Sequence, residues 1–446
     1  MSGALTLAGL RRRVGVDDAI GGSLALIALV LIAFIGVHEA RRPIYGPIDE
    51  FTHTAYVLAV AKDGIPPFYG RDRAFIRPGA LAKRDVLVPP PDKVGSAPLP
   101  IGVDGDLQQQ EAFQPPLYYY AAAPVTWFVS GRDKVIAIRI FDVFLYLCAA
   151  LLAFLALRDI GGSPLAGGIA ALMFANLGGV LGILSFVTNG AITLPFSTAA
   201  LWLAARGIRD RSLSWPLAAV TAGLAITQII MLPLAALCVL APAVAEWRVR
   251  GRGAVRPIAR RIAVAAAPLA LWVISSLYRY HWPIPRTSTG GATALTSAST
   301  RAIDVQQFTS SYFLSFVSSI QEAFHWWESS PYMYDWRPLA LALFVIPAGL
   351  GLALFRGSAR HRQAIGLWLV AGYASHATVF FMLYLAVILT GGGDFVFRYF
   401  AAEQAAFACL AALCLVTLFE RPALQRGLTL VVGIALAYWS YNASPL

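Results

Sequence analysis

Asp49, Glu50 and His53 fall within five positions, in the stretch PIDEFTH at residues 47–53, just after an apolar run. Two adjacent carboxylates can divide labour, because neighbouring like charges raise the pKa of one of them. One of the two can then take a proton in a reaction while the other orients a substrate or tunes its neighbour. Asp49 and His53 are four apart and would share a helix face, as metal ligands do. No third ligand stands at a fixed spacing. The pattern therefore predicts a helix cap followed by a structural histidine and no metal site, with a divalent cation as the alternative. Further polar groups punctuate apolar surroundings: Gln114 and Tyr118 in EAFQPPLYYY, Asn189 in SFVTNGAIT, Thr227 and Gln228 in LAITQIIMLP, and Arg398 and Tyr399 in FRYF. Arg279 and His281 close another apolar run.

The elements that must position these groups are helices in lipid. The chain has 446 residues, 58% of them hydrophobic and only 13% charged, against about 25% charged in a soluble domain. It reads as an all-α polytopic membrane protein forming one domain over residues 1–446. Apolar runs fall near 19–37, 140–157, 164–184, 190–205, 214–228, 230–246, 262–279, 338–355, 365–389, 399–418 and 427–441, which makes eleven expected spans. The first is too long for a signal-peptide core and is expected to stay as a helix. The net charge of +11 comes mainly from arginines in the short loops between these runs. Cytoplasmic loops carry such charge, so the arginines report topology and predict no nucleic-acid partner. With a cytoplasmic N-terminus after Arg11–Arg13, eleven spans bring every short arginine loop to one side.

Two long segments, 38–139 and 280–337, then face outward. The run at 115–129 is too short to cross a core of about 30 Å and is expected as an interfacial helix. The segment 214–246 is split into two helices at Thr227–Gln228, because a single helix would reverse every later arginine loop. Trp282, Trp326, Trp327, Tyr332, Tyr334 and Trp336 enrich the second outward loop. Such rings anchor a chain at the interface, or stack on a sugar or a lipid tail. Cys148, Cys238, Cys409 and Cys414 lie inside apolar runs, where thiols pack as small hydrophobes, and no disulfide is expected.

An acidic pair after the first span, PIDEFTHTAYVLAVAKDGIPP, followed by QPPLYY, resembles the GT-C superfamily of lipid-phosphosugar-dependent glycosyltransferases. That group includes protein O-mannosyltransferases, the aminoarabinose transferase of lipid A and mycobacterial arabinofuranosyltransferases. Arg139 opens the second span as an arginine does in many relatives. The chain departs from the pattern at Gly190, where an acid is usual, and at Gln228, where a lysine is.

The resemblance implies a GT-C-like bundle of about eleven transmembrane helices with interfacial helices in the first long extracytoplasmic loop. It implies a polyprenyl-phosphate-linked sugar donor, an acceptor hydroxyl on a glycan, lipid or protein, and inverting transfer on the outer face of a bacterial inner membrane. Such transfer needs a base, cations for the departing phosphate and a cleft open to a lipid tail. The base is then Asp49, with Glu50 beside it. Substrate contacts are expected from Arg398, Arg279, His281, His53, Gln114, Tyr118, Asn189 and Tyr399, with the basic stretch 70–85 in reserve. The competing reading is a lipid or polysaccharide transporter, or an assembly subunit, with the same fold. Helix interiors mostly bare of charge speak against transport, and no internal repeat is visible.

Overall fold

The computed structural model describes residues 15–41, 50–67, 73–74, 107–108, 114–131, 133–177, 186–281, 345–356, 358–390, 401–418 and 421–443. The helices are α1 (Val16–Ala40), α2 (Glu50–Asp63), α3 (Leu117–Ala122), α4 (Asp133–Ala156), α5 (Pro164–Ala175), α6 (Gly190–Arg209), α7 (Trp215–Ala225), α8 (Leu232–Arg250), α9 (Val255–Tyr280), α10 (Ile346–Arg356), α11 (Ala359–Thr390), α12 (Ala401–Thr417) and α13 (Pro422–Ala443). Each of the eleven apolar runs carries one of them, and α2 and α3 belong to the first long loop. Among the described residues, five helical segments are long and apolar enough to cross a membrane: Val16–Ala40, Asp133–Gly161, Gly190–Arg209, Ile229–Tyr280 and Ala359–Met382. The described residues are almost entirely helical, and the protein is a polytopic integral membrane protein. The all-α expectation is departed from only by a two-residue antiparallel pair in the first loop, β1 (Arg73–Ala74) and β2 (Leu107–Gln108), among the described residues.

Local chemistry sets the boundaries. Ser163 caps α5 by accepting from the Ala166 N–H, and Ser214 caps α7 by accepting from the Leu217 N–H. The expected break at Thr227–Gln228 is present: α7 ends at Ala225, a 3-10 turn covers Ile229–Met231, and Pro233 sits in the first turn of α8. That break also limits α7 to 11 residues, about 16 Å, so α7 alone does not cross a core of about 30 Å. The long segment Ile229–Tyr280 is likewise two legs. It breaks at Gly251, whose φ of 57° leaves the helical region, and both α8 and α9 pack on α7.

α5 is the centre of the bundle. Every residue from Leu165 to Ala175 is buried, as a helix apolar on all sides must be. It packs against α1, α4, α12 and α13. The approach to α1 requires glycine, because a Cβ on Gly168 would lie 2.6 Å from the Gly21 carbonyl oxygen and one on Gly21 would overlap the Pro164 carbonyl.

Charged ties hold helix ends together. The Asp159 carboxylate accepts from Trp202 and Arg209, and its backbone carbonyl from Arg360, joining α4, α6 and α11. Glu246 takes Arg250 and Arg261, both at 2.9 Å, across the α8–α9 turn. Between α11 and α12, the His376 ring bonds the Glu403 carboxylate at 2.6 Å with both side chains buried.

The run at 115–129 forms α3 and a 3-10 turn, Ala123–Phe128. Tyr118, Tyr119, Ala122, Ala123 and Thr126 are buried against its neighbours, while Trp127 and Phe128 are exposed. This is a short, two-faced element of the kind expected.

Candidate active site

Glu50 begins α2, and its carboxylate is enclosed from three directions. Arg139, in the second turn of α4, donates Nε to Oε1 at 2.7 Å and Nη2 to Oε2 at 2.8 Å. This is the two-pronged fork that a guanidinium offers a carboxylate. The Val187 N–H adds a bond to Oε1 at 2.9 Å. Arg139 Nη1 reaches the Ala40 carbonyl at the end of α1, at 3.3 Å, and its guanidinium lies 5.8 Å from the centre of the Phe186 ring. Neither charged side chain has any exposed surface. The pair thus joins the end of α1, the start of α2, α4 and the segment before α6.

A second acid stands one turn further along α4. Asp142 accepts from Tyr118 Oη at 2.9 and 3.0 Å, one bond length to each oxygen, and from the Thr188 backbone N–H. Burial, and then the Asp142 charge, push the Tyr118 phenol well above its ordinary pKa, so its O–H remains a donor. Asp142 escaped the sequence reading because it sits in an apolar run. The signal was present: an acid inside a span, three residues from Arg139, belongs on the same helix face. Arg139 and Asp142, together with His376 and Glu403, are buried within helices, and these are charges that the expectation of helix interiors mostly bare of charge did not place.

His53 follows Glu50 by one turn and faces α3. Its Nδ1 is 2.9 Å from Tyr119 Oη. Tyr119 in turn stacks on Tyr56, with ring centres 3.5 Å apart. The aromatic contacts fix His53 in a packed wall. Among the described residues no three His, Cys, Asp or Glu side chains gather to hold a metal.

Asn189 precedes α6, two residues beyond the amide that binds Glu50. Its Oδ1 accepts from Gln228 Nε2 at 2.7 Å, across the α7–α8 break. Gln228 Oε1 and Gln114 Oε1 are buried and accept no hydrogen bond among the described residues. Buried acceptors ordinarily have donors, so these two invite a ligand that brings hydroxyls.

The structure brings Glu50, His53, Tyr118 and Asn189 together with Arg139, Asp142 and Gln228, which the sequence reading left without a site role. It does not bring Arg279 and His281 to them. Arg279 Nη2 donates to the Pro66 carbonyl at 2.9 Å, beyond the far end of α2, and the 14 residues of that helix measure about 20 Å. His281 ends α9 in a left-handed conformation and donates its N–H to Leu277. Asp49, Arg398 and Tyr399 lie outside the described residues, as do Arg71, Arg77, Lys83, Arg84 and the aromatic residues of 282–336.

No family model matches the chain, and no curated protein does. Among solved structures, that of ArnT from Cupriavidus metallidurans bound to undecaprenyl phosphate is similar, at 18% sequence identity and a TM-score of 0.48, over 93% of this chain and 63% of that one. The chain thus spans less than two thirds of the length of the solved protein it matches.

Proposed function

We propose that this protein is a membrane glycosyltransferase of GT-C type. It moves a monosaccharide from a polyprenyl-phosphate donor to a hydroxyl of a glycan, lipid or protein acceptor, on the extracytoplasmic face and with inversion. The observation that carries this reading is the full engagement of Glu50. With both oxygens held by Arg139 and the Val187 N–H, Glu50 is a positioning residue that fixes the start of α2. Of the acidic pair, Asp49 is then the base.

In the reaction, the Asp49 carboxylate takes the proton of the acceptor hydroxyl. The acceptor oxygen forms a bond to the anomeric carbon from the face opposite the phosphate. The bond from that carbon to the phosphate oxygen breaks, and polyprenyl phosphate leaves with the electron pair. The growing charge on the phosphate calls for a cation acting mainly in the transition state. Arg398, with Tyr399 beside it in sequence, fills that role in this proposal. Sugar hydroxyls are the donors that the buried oxygens of Gln114 and Gln228 lack, and Gln228 is held by its bond to Asn189.

One observation favours the transporter reading: His376 and Glu403 pair inside the bundle, where intramembrane charges often mark transport paths. A single assay separates the two. Purified protein is given a polyprenyl-phosphate-linked sugar and an acceptor, and released polyprenyl phosphate is measured. Asp49→Asn should cut turnover by roughly two to four orders of magnitude, the usual worth of a positioned base, and leave donor binding largely intact. Near-normal turnover in Asp49→Asn removes the base, and donor crossing the bilayer without release of polyprenyl phosphate selects transport.

A further inference from the structure

The turn from α8 to α9 carries Arg248, Arg250, Arg252, Arg256, Arg260 and Arg261 within fourteen positions. Two of them have structural work. Arg250 and Arg261 both bind the buried Glu246 at 2.9 Å, and Arg261 also lies over the Trp215 ring. The other four, Arg248, Arg252, Arg256 and Arg260, are exposed and make no ion pair with any described residue. Beside them stand Trp247, Trp215, Val249 and Val255, each more than half exposed. Along α9 the exposed face continues through Val264, Leu271 and Ile274, and only Ile258, Ala265 and Ser276 of that helix are buried.

The geometry points to a binding site for an anionic phospholipid at this turn, separate from the catalytic chemistry proposed above. Four uncompensated guanidinium groups meet the headgroup phosphate, in forks that suit its oxygens. The two tryptophans lie at headgroup level, where indole rings favour the interface. The bare apolar face of α9 runs alongside the acyl chains. Fixing topology requires only positive charge. It requires neither the flanking indoles nor a distinction between this cluster and other arginine loops, and the experiment uses that difference.

Full-length protein is reconstituted in vesicles of equal phosphatidylcholine and phosphatidylglycerol and re-extracted, and the retained lipids are counted by native mass spectrometry. The wild-type protein should retain phosphatidylglycerol in preference, and the preference should fall as salt is raised. Each surface arginine is worth roughly a fivefold bias toward anionic lipid, so the triple variant Arg252→Gln, Arg256→Gln, Arg260→Gln should lose at least about tenfold. Lysine at the same three positions should keep only part of it, because the charge stays and the planar fork is lost. A control triple, Arg211→Gln, Arg362→Gln, Arg421→Gln, removes equal charge from exposed positions in other loops and should keep the preference. Equal retention of the two lipids by the wild type overturns the site, as does an equal loss in the control.

Discussion

Arg139→Gln tests the Glu50–Arg139 bond most directly. The substitution leaves Glu50 with the Val187 N–H at 2.9 Å and removes two charge-assisted bonds, at 2.7 and 2.8 Å, from a carboxylate with no exposed surface. Stranding one member of a buried ion pair costs about 3–5 kcal/mol. Arg139→Gln should therefore lose between about 3 and 5 kcal/mol of stability. Denaturant titration of the wild type, Arg139→Gln, Glu50→Gln and the double variant, in one detergent, measures it. The double variant places two amides where two charges stood and should recover much of the loss, with a coupling of about 1–3 kcal/mol. Its turnover should stay low, because the amide pair does not hold the start of α2 as the ion pair does. An Arg139→Gln protein within about 0.5 kcal/mol of wild type, or a double variant that is simply additive, refutes the account.

Arg398→Lys keeps a positive charge but loses the planar fork, and should restore only part of the turnover lost in Arg398→Ala; full activity in Arg398→Ala moves the search for the phosphate cation elsewhere. Tyr118→Phe deprives Asp142 of its phenol, leaving the Thr188 N–H among the described donors, and should cost about 1–3 kcal/mol. Because burial raises the folded pKa of Tyr118, its contribution is complete below the unfolded tyrosine value near 10 and is lost as pH rises beyond it. Stability curves of wild type and Tyr118→Phe should therefore converge at high pH, and parallel curves would contradict this. For topology, Gly95→Cys and Ser310→Cys should react with an impermeant thiol reagent applied to intact cells. Gly253→Cys, at an exposed position where a Cβ meets nothing within 4 Å, should react only after permeabilisation. Labelling of Gly253→Cys in intact cells would reverse the scheme.

Helix existence was legible in the sequence because lipid forces it. A backbone in hydrocarbon must satisfy its own hydrogen bonds, so every long apolar run carries a helix. The Thr227–Gln228 break was legible as well, because two polar residues followed by a proline near the next helix start stop one helix and open another. The short element at 115–129 was legible from its length. Partnerships were not. Glu50 and Arg139 are 89 positions apart, and no local pattern joins them. Asp142 hid in an apolar run that a window average dilutes. Arg279 had the right residue type at a plausible helix end, yet it donates to the Pro66 carbonyl, beyond the far end of α2. Residue type and depth place a side chain along the membrane normal, but only packing places it around the bundle.

The Glu50–Arg139 bond also imposes an order on biogenesis. Glu50 leaves the ribosome well before Arg139, and at synthesis rates of about 5–20 residues per second the gap is roughly 4–18 s. Throughout that interval the carboxylate has neither its guanidinium partner nor the Val187 amide, which comes later still. The start of α2 therefore cannot be buried in its final form while only the first span is in place. It must wait at the membrane surface until α4 has entered and the segment before α6 has arrived. This wall of the candidate site is thus assembled late, and a nascent chain arrested between residues 60 and 138 would present Glu50 to water and to chaperones rather than to the bundle.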